Sequence, residues 1–146
     1  MNALIRLGCS TICVLQCYFA PILDLIIRLW MAKIFFYSGL TKYANMDIAV
    51  ALFREEYKVP LIDPAVAAYM ATATELIAPV MLVAGLGARA AATAMFVMTL
   101  VIQFTYLDLQ EHFYWMMLLG IIILKGPGAI SIDRFLAPVL CPRSRR

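Results

Sequence analysis

The residues with chemistry to offer are few and stand in apolar company. Glu75 lies near the middle of "MATATELIAPVMLVAG", Met70 to Gly85, with Pro79 one helical turn later; Asp24, Arg28 and Lys33 lie in "PILDLIIRLWMAKIFFYSGL", Pro21 to Leu40. A lone charge at mid-bilayer costs from about 3 to more than 10 kcal/mol, so such groups face a bundle interior and take partners. Asp24 and Arg28, four residues apart with the acid first, are spaced for an intrahelical pair. At about 1.5 Å per residue, Lys33 lies ~17 Å in from Ile22, and Glu75 lies ~17 Å in from Leu86 at the opposite-running end. This depth match predicts a Lys33–Glu75 contact, with Tyr37 following Lys33 on the same face. Such a pair either handles a proton or merely fixes helix register. Pro79 has no N–H for the Glu75 carbonyl, which frees a backbone acceptor beside the acid, although proline kinks are ordinary in membrane helices.

His112 follows Glu111 and stands close to Gln103, Tyr106 and Asp108 across a helix connection. A histidine there suits a proton relay between the outer surface and a cavity leading to Glu75, and suits equally a polar group that anchors a helix end. Cys9, Cys13 and Cys17 recur every four residues along one helix face, with Cys141 isolated near the other end. Adjacent turns are poorly placed for a disulfide, so the stripe reads as small packing residues. With one histidine and no His/Cys cluster at ligand spacing, a classical zinc site is not expected. The Ala67/Ala71 and Ala88/Ala92 steps read as close helix packing.

The elements that must position these groups are membrane helices. Of 146 residues, 64% are hydrophobic and 14% are charged, against roughly 25% charged in soluble domains. The net charge of +3 comes with no basic stripe interleaved by aromatics, so the expected partner is a lipid bilayer and no nucleic acid. A span needs about 20 mostly apolar residues. The pattern supplies them at Pro21–Leu40, Ala65–Leu86 and Arg89–Tyr106, and from Phe113 to the stop at Lys125-Gly126-Pro127-Gly128. The expected fold is an all-α integral membrane protein, an antiparallel four-transmembrane-helix bundle with an N-terminal interfacial or re-entrant helix. Residues 1–20 make that segment, or extend the first span, or cross a fifth time; 21–136 make the bundle and 137–146 a basic tail. The Tyr18-Phe19-Ala20-Pro21 junction lacks a small-x-small cleavage pattern, which argues against a removed signal peptide. Between the first two spans, Ile48, Leu52, Phe53 and Tyr57 suit one face of a short interfacial helix ended by Pro60.

Four spans place Arg6, Arg89, Lys125, Arg134, Arg143, Arg145 and Arg146 on one side, and Lys42, Arg54 and Lys58 on the other. The positive-inside rule then puts both termini in the cytoplasm. Phe36, Tyr37, Tyr43, Phe104, Tyr106, Phe113, Tyr114 and Trp115 fall near the outer interface as an aromatic belt.

The order of "RLWMAKIFFYSGLTKY", "FREEYKVPLI", "ATELIAPVMLVAGLGAR", "EHFYW" and "KGPGAISID" resembles the DoxX family of small four-helix membrane proteins. The resemblance spans most of Arg28 to Asp133 and leaves the cysteine segment outside. It implies that Arg28, Gly39, Lys42, Pro60, Glu75, His112, Gly126, Pro127, Ser131 and Asp133 stand at recurring family positions. It also implies a bacterial inner-membrane protein acting as a subunit of a membrane-bound oxidoreductase or a thiol or oxidative-stress complex, with a redox partner protein. Such a subunit would not be a self-sufficient enzyme. No dinucleotide, haem or iron–sulfur motif is present, so no cofactor is bound by motif, and quinone is the candidate lipid-soluble carrier. Glu75, Lys33 and His112 are the candidate catalytic groups; Arg28, Trp30, Phe36, Tyr37 and Gln103 are the candidate quinone pocket, with Phe35 a further ring for stacking. The alternative is a non-catalytic scaffold, or a binder or carrier of a small hydrophobic molecule. A homo-oligomer is compatible with either.

Overall fold

The apolar runs fold as helices whose ends fall where cap chemistry puts them. A computed structural model describes residues 3–57, 62–105 and 110–140, with side chains from 9 to 136 within them. The helices are α1 (Ala3–Val14), α2 (Ala20–Ala44), α3 (Met46–Leu52), α4 (Pro64–Ala84), α5 (Ala88–Thr105), α6 (Gln110–Lys125) and α7 (Ile132–Leu140). No strand occurs among the described residues. The Asp63 carboxylate opens α4 by accepting the N–H groups of Ala65 and Val66, with Pro64 in the first turn. Gly85 closes α4 in the left-handed region at φ 68°, which a side chain rarely adopts.

Four helices make the bundle: α2 packs on α4, α4 on α5, α5 on α6, and α6 back on α2. Neighbours run antiparallel, since Arg28 early in α2 reaches the end of α4, and Lys125 at the end of α6 reaches Asp24 near the start of α2. Met31, Phe35, Leu82, Met95, Leu119 and Ile122 fill the centre. Of the alanine steps, Ala67, Ala88 and Ala92 are buried and Ala71 is half-buried, and Ala68 and Ala91 are buried beside them. Outward-facing Trp30, Ile77, Val80, Phe104 and Met117 are exposed, an apolar coat that suits lipid. Cys9–Ala44, α4 and α5 are long and apolar enough to cross a membrane. The chain is an all-α membrane protein. The fourth bundle helix, α6, has 16 residues, or about 24 Å of rise.

Three local expectations change. Pro21 does not start a helix, because α1 runs into α2 through one π-helical turn, Leu15–Phe19. The widened turn lies directly upstream of the proline, where its missing N–H disrupts the ladder. Residues from Ala3 to Ala44 thus form one continuous rod with no re-entrant reversal. Cys9, Cys13 and Cys17 lie exposed on it and do not serve as packing residues, because the rod outruns the bundle; Cys13 Sγ and Cys17 Sγ are 3.9 Å apart. Between α2 and α4, α3 continues into a second π turn, Phe53–Tyr57. The face that packs on α4 is therefore Ala49, Phe53 and Tyr57, at four-residue steps, while Ile48 points away. Lys58, Pro60, Tyr106, Asp108, Cys141 and the arginines from 143 onward lie outside the described residues, as does the Arg6 side chain.

Candidate functional site

One face of α2 carries Arg28, Met31, Ala32, Phe35, Ser38, Gly39 and Lys42, a run of three- and four-residue steps that points into the bundle. At its far end the Lys42 ammonium bonds both Glu75 oxygens at 2.8 Å and the Ser38 hydroxyl at 2.8 Å, and that hydroxyl donates to Glu75 Oε1 at 3.1 Å. The carboxylate is 4% exposed and the lysine 13%. Gly39 permits the approach: a Cβ there would lie 2.9 Å from Glu75 Cβ. Glu75 is thus a buried acid with three hydrogen bonds from two neighbours on α2.

These groups line one wall of a cavity of about 170 Å³ between the helices. His112 and Thr99 line another, and Phe35, Trp115 and Tyr57 complete it. His112 is buried, its Nδ1 lying 2.8 Å from Gln103 Oε1. An amide oxygen only accepts, so with the Gln103 amide in this orientation Nδ1 is the donor. The Trp115 ring sits 5.1 Å from the imidazole and 5.8 Å from Phe35, centroid to centroid. Chemically, the cavity offers Glu75 with Lys42 on one wall and His112 on another, the hydroxyls of Ser38, Thr99 and Tyr57, and an aromatic side, in a space that holds a few waters or one small polar head.

The expected Lys33–Glu75 pair does not form; the partner is Lys42. Two assumptions behind the depth match fail. The first helix starts well before Ile22, so counting from there misplaces Lys33, and Lys33 falls off the inward stripe and is exposed. It lies instead with Pro79, Leu29, Phe36 and Val80 around an apolar groove of about 480 Å³ on the outer side of α2 and α4. Nor do Asp24 and Arg28 pair. Asp24 binds the Lys125 ammonium at 2.7 Å, because the end of α6, which Lys125 closes, packs against α2 near its start.

Arg28 is 1% exposed and donates to the carbonyls of Leu82 (3.2 Å), Val83 (3.4 Å) and Ile130; its Nε has no partner among the described residues. A guanidinium there sits on the negative end of the α4 dipole. Next to it the Asp133 carboxylate accepts the N–H groups of Gly87 (2.7 Å) and Ala88 (3.1 Å), capping α5 from a distant segment, and the Asp133 N–H returns to the Gly85 carbonyl. Arg28, Gly85, Ser131 and Asp133 form a clasp on the α4–α5 turn. The candidate quinone residues therefore do not meet. Arg28 closes one end, Trp30 and Tyr37 face outward at 58% and 63% exposure, Phe36 edges the outer groove, and Gln103 supports His112.

Sequence reasoning missed Ser38, Tyr57, Thr99 and Trp115 as cavity residues and placed Lys42 outside the membrane. The spacing of Phe35, Ser38 and Lys42 from Arg28 was the available signal. Among the described residues no group of three metal-ligating side chains gathers.

Neither a curated protein nor a solved structure matches the chain. A family model, DoxX, matches residues 23–107, the stretch that carries Arg28, Gly39, Lys42 and Glu75 and stops short of His112 and Asp133. That match covers more than half of the chain: it belongs to the DoxX family.

Proposed function

We propose that the chain is a four-span protein of the bacterial inner membrane, with both termini cytoplasmic, whose buried cavity handles protons for a quinone-linked oxidoreductase complex. The observation that carries the reading is the meeting of the Lys42–Glu75–Ser38 network and His112 around one cavity. Reduction of a quinone takes up two protons with two electrons; Glu75 and His112, each first protonated from the aqueous side, would pass them on and return to carboxylate and imidazole. The electrons would come from a partner protein. The cavity is smaller than the usual 300–1,000 Å³ of ligand sites, so a quinone ring would present an oxygen at its mouth and keep its tail in lipid. Arg89, Lys125 and Arg134 at the Arg28 end support a cytoplasmic assignment of that end, and α6 supplies the fourth crossing.

One observation favours the alternative, a scaffold or a binder of a small hydrophobic molecule: the Glu75 carboxylate is already satisfied by Lys42 and Ser38, as a purely architectural pair would be. Purification in mild detergent with mass spectrometry of bound lipids, quinones and proteins separates the two. The expected result is a co-purifying quinone or redox partner and a rise in unfolding temperature on adding quinone, lost in Glu75→Gln. Absence of all three would leave the scaffold reading.

A further inference from the structure

At the end opposite the cavity, the helix termini enclose an open basin of about 620 Å³. It is lined by the loop Gly126–Ala129, by Arg89 and Arg134, and by Gln16 and Ala20 on the rod ahead of the bundle. Both carboxylates in the basin are engaged. Asp24 holds Lys125 at 2.7 Å, and Asp133 caps α5 through Gly87 and Ala88. Arg89 and Arg134 have no ion pair among the described residues. Arg89 is nonetheless placed: its Nη2 would lie 3.2 Å from a Cβ at Gly126, so the guanidinium rests on bare glycine backbone.

Two uncompensated guanidiniums across a basin suit a tetrahedral oxyanion, which they take through paired N–H donors. The surroundings say which one. The rod that walls the basin continues with Phe19, Leu23 and Ile26, all exposed, along the apolar coat that faces lipid. We propose that the basin is a headgroup site for an anionic phospholipid, its phosphate between Arg89 and Arg134 and its acyl chains along Phe19, Leu23 and Ile26. A soluble phosphate would leave that apolar flank unused.

The test uses the full chain, delipidated in detergent and then mixed with phosphatidylglycerol, phosphatidylcholine or inorganic phosphate. Retained lipid is read by native mass spectrometry, and unfolding temperature is followed in parallel. Phosphatidylglycerol is expected to be retained and to raise the unfolding temperature, the other two not. Two variants locate the site: Arg89→Gln with Arg134→Gln removes the charges, and Gln16→Trp fills the basin with charges intact. Each is expected to lower phosphatidylglycerol retention about tenfold, with circular dichroism unchanged. Equal retention of both lipids overturns the proposal, as does stabilisation by inorganic phosphate alone. Loss in the arginine variant with full retention in Gln16→Trp would show diffuse attraction to basic residues and would likewise overturn the site.

Discussion

Glu75 and Lys42 show how one buried pair constrains two helices. Removing either partner from a buried ion pair costs about 3–5 kcal/mol, and the residual exposure of Lys42 lowers this to about 2–3 kcal/mol. Glu75→Gln and Lys42→Met should each lose that much in unfolding experiments, and the double variant less than the sum. Lys33→Met with Glu75→Gln should be additive, because Lys33 lies on the outer face. Gly85 and Gly120 make a second contrast. Alanine at 85 meets both a φ of +68° and Arg28 Nη1 at 2.5 Å, whereas a Cβ at 120 meets nothing within 4 Å. Gly85→Ala should therefore cost more than about 2 kcal/mol, and Gly120→Ala should gain about 0.5–1 kcal/mol. Unfolding temperatures compare them directly.

At the scale of elements, the α4–α5 hairpin depends on a residue far along the chain. Asp133 supplies the N-cap that the Gly85–Gly87 turn lacks, and Arg28 covers the carbonyls that end α4. Asp133→Asn keeps the shape but weakens two charge-assisted bonds; a loss of about 1 kcal/mol follows. Hydrogen exchange should rise at Ala88 and Ala91, at the start of α5, before it rises in α2. The short α3 segment likewise reads differently as a folded element than as a pattern. Its second π turn selects Ala49, Phe53 and Tyr57 for the inner face and brings Tyr57 to the cavity.

For the whole molecule, the proposed topology puts Glu55 outside and Arg134 inside. In a cysteine-free background, Glu55→Cys should react with an impermeant maleimide in intact cells, and Arg134→Cys only after permeabilisation. The reverse pattern would invert the protein in the membrane. Composition and apolar runs alone determined the membrane class, the positions of α4 and α5 to within a few residues, and the burial of Ala67, Ala88 and Ala92, because these follow from burial averaged along a helix. The sequence also singled out Glu75 and His112, since a polar group in an apolar run stands out by itself. Their partners were a different matter. Lys42 rather than Lys33, Lys125 rather than an intrahelical Arg28 for Asp24, and Asp133 on a helix 45 residues upstream are choices made by helix rotation and tilt. Those arise only when four faces pack together, and an error of one residue in a helix start turns a side chain by about 100°.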